Sequence, residues 1–161
     1  MRQNLYLTGA AFLSAILGCA KASSSDDAAP IIALTREALD HWGKGDVQKL
    51  LDLYAPGITY FDPFQQERIE GIEAMRKIYA PLAGKVKIAH YEIIAPKVQH
   101  FDDVAILTFN LVDDVAEQPG GPGNVRVAWN CTQVYVRSNG KWRVVHEHWS
   151  FIKPELKTAP Q

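Results

Sequence analysis

This chain has little cysteine, no excess charge of either sign and almost no long apolar runs. Cys19 and Cys131 are its 2 cysteines in 161 residues, so no disulfide framework can carry the fold. Lys and Arg number 17 against 18 Asp and Glu, a net charge of -1, and no basic run interrupts the balance. That removes the electrostatic footprint of a nucleic-acid or acidic-surface binder, and no nucleic acid is expected as a partner. A phosphate-cradling loop is missing too. Gln118-Pro119-Gly120-Gly121-Pro122-Gly123 has the glycines, but lacks the Lys and the strand-to-helix setting such a loop needs. There is no internal repeat and no low-complexity block. With 47% apolar and 22% charged residues, the composition is globular and the length suits one domain.

The one sustained apolar run comes first. Met1-Arg2 gives a weakly basic start, and Leu5 to Leu17 is almost wholly apolar or small. That pattern is a secretory signal, too short for a comfortable membrane span. Two exits compete. Ile16-Leu17-Gly18-Cys19 looks like a bacterial lipobox, in which residues 1–18 are removed and Cys19 is lipidated. Ala20-Lys21-Ala22 fits ordinary cleavage after Ala22. The lipobox is preferred, because a cysteine just after the apolar run has no other evident purpose, although Leu17 is larger than usual there. The expected localisation is export, either periplasmic or lipid-anchored to a bacterial membrane. Residues 19–29 read as a polar tether, 30–153 as the domain and 154–161 as a tail.

Within the domain, Ile31, Leu34, Ala38 and Trp42 recur at helical spacing, with Ile32 and Leu39 alongside, until Gly43 and Gly45 stop the helix. Asp46 can cap a second helix carrying Val47, Leu50, Leu51 and Tyr54. Ala55-Pro56-Gly57 reads as a turn, and Ile58 to Asp62 as a short strand halted by Pro63. Gly71 leads into a third helix with Ile72, Met75, Ile78, Tyr79 and Leu82. After Gly84 the period becomes two, and strands are expected at about 85–95, 97–115, 124–137 and 141–152. Asp102-Asp103 and Ser138-Asn139-Gly140 read as hairpin turns. The resulting fold class is α+β: a cone-shaped, curved antiparallel sheet of long strands, covered on one face by three N-terminal helices. Such layers can leave a conical pocket between them.

Three motifs in that order carry a family resemblance. They are Gly43-Lys44-Gly45-Asp46; Phe61-Asp62-Pro63 followed by Glu70-Gly71-Ile72-Glu73-Ala74-Met75; and Asn139-Gly140-Lys141-Trp142 followed by Val145-His146-Glu147-His148-Trp149. Together they resemble the nuclear transport factor 2-like superfamily, with its SnoaL-like and ketosteroid-isomerase-like members. The last motif, with Ala95-Pro96-Lys97-Val98, is most similar to the association domain of calcium/calmodulin-dependent kinase II and its bacterial relatives. The superfamily hosts enzymes, binders and assembly modules alike.

The resemblance implies that Asp62, beside Pro63, is a candidate general base, working in an apolar cleft lined by Tyr60 and Phe64. An enolate also needs donors aimed at its oxygen. The matching positions here fall at Ala38 and at Thr132 or Gln133, none of them an acid or a tyrosine. The plainer alternative is that Asp62 ends a strand and bonds backbone beside Pro63. Kinase association domains carry a pocket arginine at what matches Gln133, so capture of a carboxylate is not expected at that point. If the protein is an enzyme, proton transfer of isomerase or cyclase type follows, with no redox or other cofactor.

Strand alternation places Trp142, Val144, His146 and His148 on one face and Glu147 with Trp149 on the other. His146 and His148 are then candidate catalytic or pocket-wall residues. They are half of a metal site at most, and nothing in the sequence brings His90, His100 or Asp62 to complete it, so no metal is expected. On the preceding strand, Val127, Trp129, Cys131, Gln133 and Tyr135 share a face, which makes Trp129 and Gln133 candidate ligand contacts. Trp149 and Phe151 are candidates for a subunit interface. The expected partners are a small apolar or carbonyl-containing molecule, a second copy of the chain in a homodimer or higher homo-oligomer, and the membrane only through a lipid on Cys19.

Overall fold

The computed structural model describes residues 28–117, 120 and 123–153. The signal segment, Cys19, the tether up to residue 27, the tail and most of the Gln118–Pro122 loop lie outside the described residues.

Helix α1 (Ala28–Trp42) buries Ile31, Thr35, Ala38 and Leu39, the face its spacing predicts. Asp46 caps α2 (Val47–Asp52) by accepting from the Lys49 backbone N–H at 3.3 Å, and it also meets His41 Nδ1 at 2.9 Å. Between them Gly45 has a φ of 80°, and a Cβ there would stand 2.8 Å from Gly84 Cα. Only glycine combines that dihedral with so close a backbone approach. Strand β1 (Tyr54–Phe61) and the short β2 (Ile69–Glu70) precede α3 (Ile72–Tyr79), which a single 3₁₀ turn (Ala80–Leu82) extends. Four long strands follow: β3 (Lys87–Phe101), β4 (Val104–Glu117), β5 (Val125–Ser138) and β6 (Lys141–Phe151).

The six strands form one sheet in the order β2-β1-β6-β5-β4-β3, with the helices packed on one side. This is the expected α+β architecture, but the sheet is mixed rather than antiparallel throughout. β1 runs parallel to β6, pairing Thr59 with His146 and Phe61 with His148. A second correction concerns residues 85–115. The chain does not break near residue 96. β3 continues to Phe101, and Ala95, with a φ of 47°, takes up a register shift between Ile94 and Lys97. Such a bulge absorbs an extra residue and bends the strand without ending its pairing. The turn is Asp102-Asp103, as its composition suggests. Ala55-Pro56-Gly57 likewise lies within β1, as an irregular stretch between Tyr54 and Thr59.

The core lies between helices and sheet, where Ile31, Ile58, Met75, Leu107, Leu111, Tyr135 and Val144 are almost fully buried. Each large apolar side chain buried this way contributes roughly 1.5–3 kcal/mol. Among the described residues, no helix is long and apolar enough to cross a membrane.

Candidate functional site

The helices and the concave sheet face enclose a cavity of about 660 Å³. Its shape follows from strand alternation. β5 presents Trp129, Gln133 and Tyr135 inward, as expected. β6 does not keep a simple alternation. Val134 pairs with His146 but Tyr135 pairs with Val144, so Val145 is one extra residue. This bulge resets the parity of everything after it. Val144 and Glu147 both face inward, and both are almost completely buried.

The prediction that Trp142, Val144, His146 and His148 share a face therefore fails at the bulge. His146 and His148 do not line the cavity. They flank the Phe61 ring at centroid distances of 5.9 and 5.6 Å, and Thr59 Oγ1 lies 2.8 Å from His146 Nδ1. Burial, followed by the neighbouring His148 and Arg68, holds His146 below the usual histidine range. Among the described residues, no group of three His, Cys, Asp or Glu is arranged to hold a metal. His90 and His100 stand on β3, the edge strand opposite β2, and the His100 ring packs against Trp142 at 5.4 Å rather than joining His146 and His148. Trp149 and Phe151 change sides for the same reason. Expected at an interface, they form part of the cavity wall.

Four other expected site residues, Tyr60, Asp62, Phe64 and Trp129, meet at this cavity with Gln133. Asp62 closes β1 at the mouth. One carboxylate oxygen accepts from the Phe64 backbone N–H at 2.7 Å, the backbone bond expected beside Pro63, and the other accepts from Tyr79 Oη at 3.2 Å. Tyr60 packs beside Tyr79, with ring centroids 6.4 Å apart.

Deeper in, Glu147 is 2% exposed. Tyr54 Oη donates to its Oε2 at 2.5 Å, and Gln133 Nε2 donates to its Oε1 at 2.5 Å. Burial pushes Glu147 above the usual carboxylate range against the pull of these donors. Burial and then the Glu147 charge hold the Tyr54 phenol well above its own range, so it remains a donor. Gln133 is oriented from behind: its Oε1 accepts from Thr35 Oγ1 at 2.8 Å and from Tyr135 Oη at 3.0 Å. One buried network thus runs Tyr135–Thr35–Gln133–Glu147–Tyr54, tying α1 to β1, β5 and β6.

Two acidic residues of the cavity were not singled out from the sequence as site residues: Glu147, displaced by the bulge, and Asp113. The signal for Asp113 was present. It occupies an inward position in the row Leu107, Phe109, Leu111, Asp113, Val115 of β4, where a carboxylate interrupts an apolar alternation. Cys131 is buried and inert, its thiol pushed far up by burial and by the Glu147 and Asp113 carboxylates.

A model of the SnoaL-like domain family matches residues 31–154. Among solved structures, a candidate ketosteroid isomerase from Parabacteroides distasonis is 34% identical over 77% of this chain and 86% of its own, with a TM-score of 0.63. A nuclear transport factor 2-like protein of unknown function from Pseudomonas putida matches at 23% identity over 79% of this chain and 87% of its own, with a TM-score of 0.66. The calcium/calmodulin-dependent kinase II hub homology domain of Chlamydomonas reinhardtii matches at 24% identity over 79% and 98%, with a TM-score of 0.63. The last two show likeness of fold alone. The extent of the family match, with the 34% relative, settles membership: this chain belongs to the SnoaL-like domain family and has the nuclear transport factor 2-like cone fold.

Proposed function

We propose that this protein is an exported binder of a small, mostly apolar molecule, working as a homodimer and held at a bacterial membrane by a lipid on Cys19. The observation that carries the binding reading is the cavity of about 660 Å³, walled by aromatic side chains and holding few polar groups. That volume and lining are those of small-molecule sites in general. The outer sheet face supports pairing, because Phe61 is 43% exposed there between His146 and His148. Native mass spectrometry of protein isolated from its membrane fraction tests all three elements. The expected spectrum shows a dimer, a co-purifying small molecule and the added mass of a diacylglyceryl cysteine. A monomer of unmodified mass that no apolar probe stabilises against heat would refute the reading.

The cavity also favours a second reading, proton transfer on a carbonyl compound, with Asp62 as base. Asp62 and the buried acid Glu147 open onto one space, and acids in contrasting environments are how one site divides base and acid roles. His146 and His148 stand outside that space and take no part in this scheme. Purified protein should isomerise a β,γ-unsaturated ketone and lose that rate on Asp62→Asn. An equal rate in the variant removes the reading.

A further inference from the structure

The buried acids of the cavity are not equally satisfied. Glu147 has a donor on each oxygen, and so does the half-buried Asp62. Asp113 differs. It is 6% exposed, its Oδ1 accepts from Trp129 Nε1 at 3.1 Å, and no second side chain among the described residues donates to it. The carboxylate stands in an otherwise apolar row and lines the cavity, where its remaining acceptor capacity is open to a ligand.

Its surroundings indicate which ligand. The cavity lining among the described residues contains three carboxylates, Asp62, Asp113 and Glu147, and no Lys, Arg or His. Trp129, the donor to Asp113, is the centre of an aromatic group. Its ring centroid lies 4.5 Å from that of Phe151, 5.9 Å from that of Trp149 and 6.2 Å from that of Phe64. Ring faces are negative, so several rings around one carboxylate attract a cation and repel an anion.

We propose that the cavity selects an apolar molecule bearing a protonated amine or a quaternary ammonium, seated on Asp113 Oδ2 against the Trp129 aromatic group. The inference rests on the ligand-binding reading above and gives it a charge. A carboxylate ligand of the same shape meets three acids with no cation to offset them. A neutral ligand leaves Asp113 without a counter-charge. Burial raises the proton affinity of Asp113, and an ammonium bound beside it reverses that effect by favouring the ionised form.

The test uses phenylhexylamine, phenylhexanol and phenylhexanoate, three probes with one tail and three head groups, titrated calorimetrically into the mature protein at neutral pH. The ammonium should bind tighter than the alcohol by roughly tenfold to a hundredfold, the range of a charge-assisted hydrogen bond, and the carboxylate should bind weakest. Asp113→Asn should reduce the amine to about the affinity of the alcohol. It should also raise the melting temperature of the ligand-free protein, because a desolvated charge is gone, and that rise confirms that the variant folds. If the alcohol or the carboxylate binds as well as the amine, charge selection is overturned while the pocket stands. Charge selection is overturned equally if Asp113→Asn leaves amine affinity unchanged. If none of the three binds, this inference and the ligand-binding reading fail together.

Discussion

Replacing Glu147 by Gln should stabilise the fold at high pH relative to low, whereas replacing it by Leu should weaken it throughout. Leu leaves the Tyr54 hydroxyl and the Gln133 amide, both buried, without their acceptor. At about 1–3 kcal/mol for each orphaned group, the cost is roughly 2–6 kcal/mol. Gln avoids it by a reversal of the network. Its Oε1 accepts from Tyr54, and its amide nitrogen donates to Gln133 once the Gln133 amide flips. Gln133 then donates to the Tyr135 and Thr35 hydroxyls, and Thr35 turns its proton to Ile31 O at 3.3 Å. Every group finds a partner, so Glu147→Gln should lie within about 1 kcal/mol of the parent near pH 5. The pH dependence follows from linkage. Burial raises the folded-state pKa of Glu147 above its ordinary value of 4.5. Between those two values the folded state holds a proton that the unfolded state has lost, so the parent loses stability as pH rises through that window. The Gln variant lacks this slope. Urea unfolding of both proteins at several pH values should therefore show the difference moving in favour of Gln from acid to alkaline conditions. A flat difference, or a Gln variant as weak as the Leu variant, would refute both the network and its buried charge.

Other substitutions test other parts of the fold. Gly45→Ala places a Cβ 2.8 Å from Gly84 Cα at a φ of 80°, and should cost about 1–3 kcal/mol of stability by thermal melting; no change would mean that the α1–α2 corner can move aside. Cys131 should resist thiol reagents in a Cys19→Ser background until denaturant is added, because it is 3% exposed and its thiol is pushed up by burial. Rapid labelling of the native protein would contradict its placement. His146, held below the ordinary histidine range, binds a proton more readily unfolded than folded. Stability should thus fall as pH drops through about 6.5, and His146→Gln should flatten that fall in a melting series. Deleting Val145 keeps Tyr135 opposite Val144 and Val134 opposite His146. The variant should stay folded with its tryptophan emission still blue-shifted, whereas a red shift would show that Trp149 has turned outward.

Local chemistry made the helices, the turn at Asp102-Asp103 and the inward row of β5 legible in the sequence. Ile31 to Leu39 repeat at the period of a helix, and Trp129, Cys131, Gln133 and Tyr135 alternate without interruption. The placement of Asp62 and Tyr60 at the cavity was legible for the same reason, since β1 is regular from Ile58 onward. Ala95 and Val145 were not. A bulge is fixed by what the neighbouring strands require, and no residue type in Arg143-Val144-Val145-His146 announces one. At Val145, two strands depart from ladder geometry together: β1 is irregular between Tyr54 and Thr59 where β6 gains its extra residue. The Val144 N–H bonds Leu53 O at 3.0 Å just before that point, and Thr59 Oγ1 reaches Val145 O at 3.4 Å beside it. The parity of the last six residues of β6 is therefore set by how β1 enters the sheet, some ninety positions earlier in the chain.

That dependence gives the bulge chemical weight. With strict alternation from Val144, the two histidines would face the cavity, and Glu147, Trp149 and Phe151 would face out. The cavity would then hold two titratable imidazoles and lose part of its aromatic wall. One extra residue exchanges the sets. Titratable nitrogen goes to the outer face beside Phe61, and an acid with two rings goes inward. Asp113 strengthens the bias from the opposite side of the same concave face, at a position where β4 is otherwise apolar. Two independent departures from pattern, a bulge in one strand and a carboxylate in the other, give the cavity the same sign of charge. A ligand that needed an anion-binding site would gain from neither departure, and a cationic one gains from both.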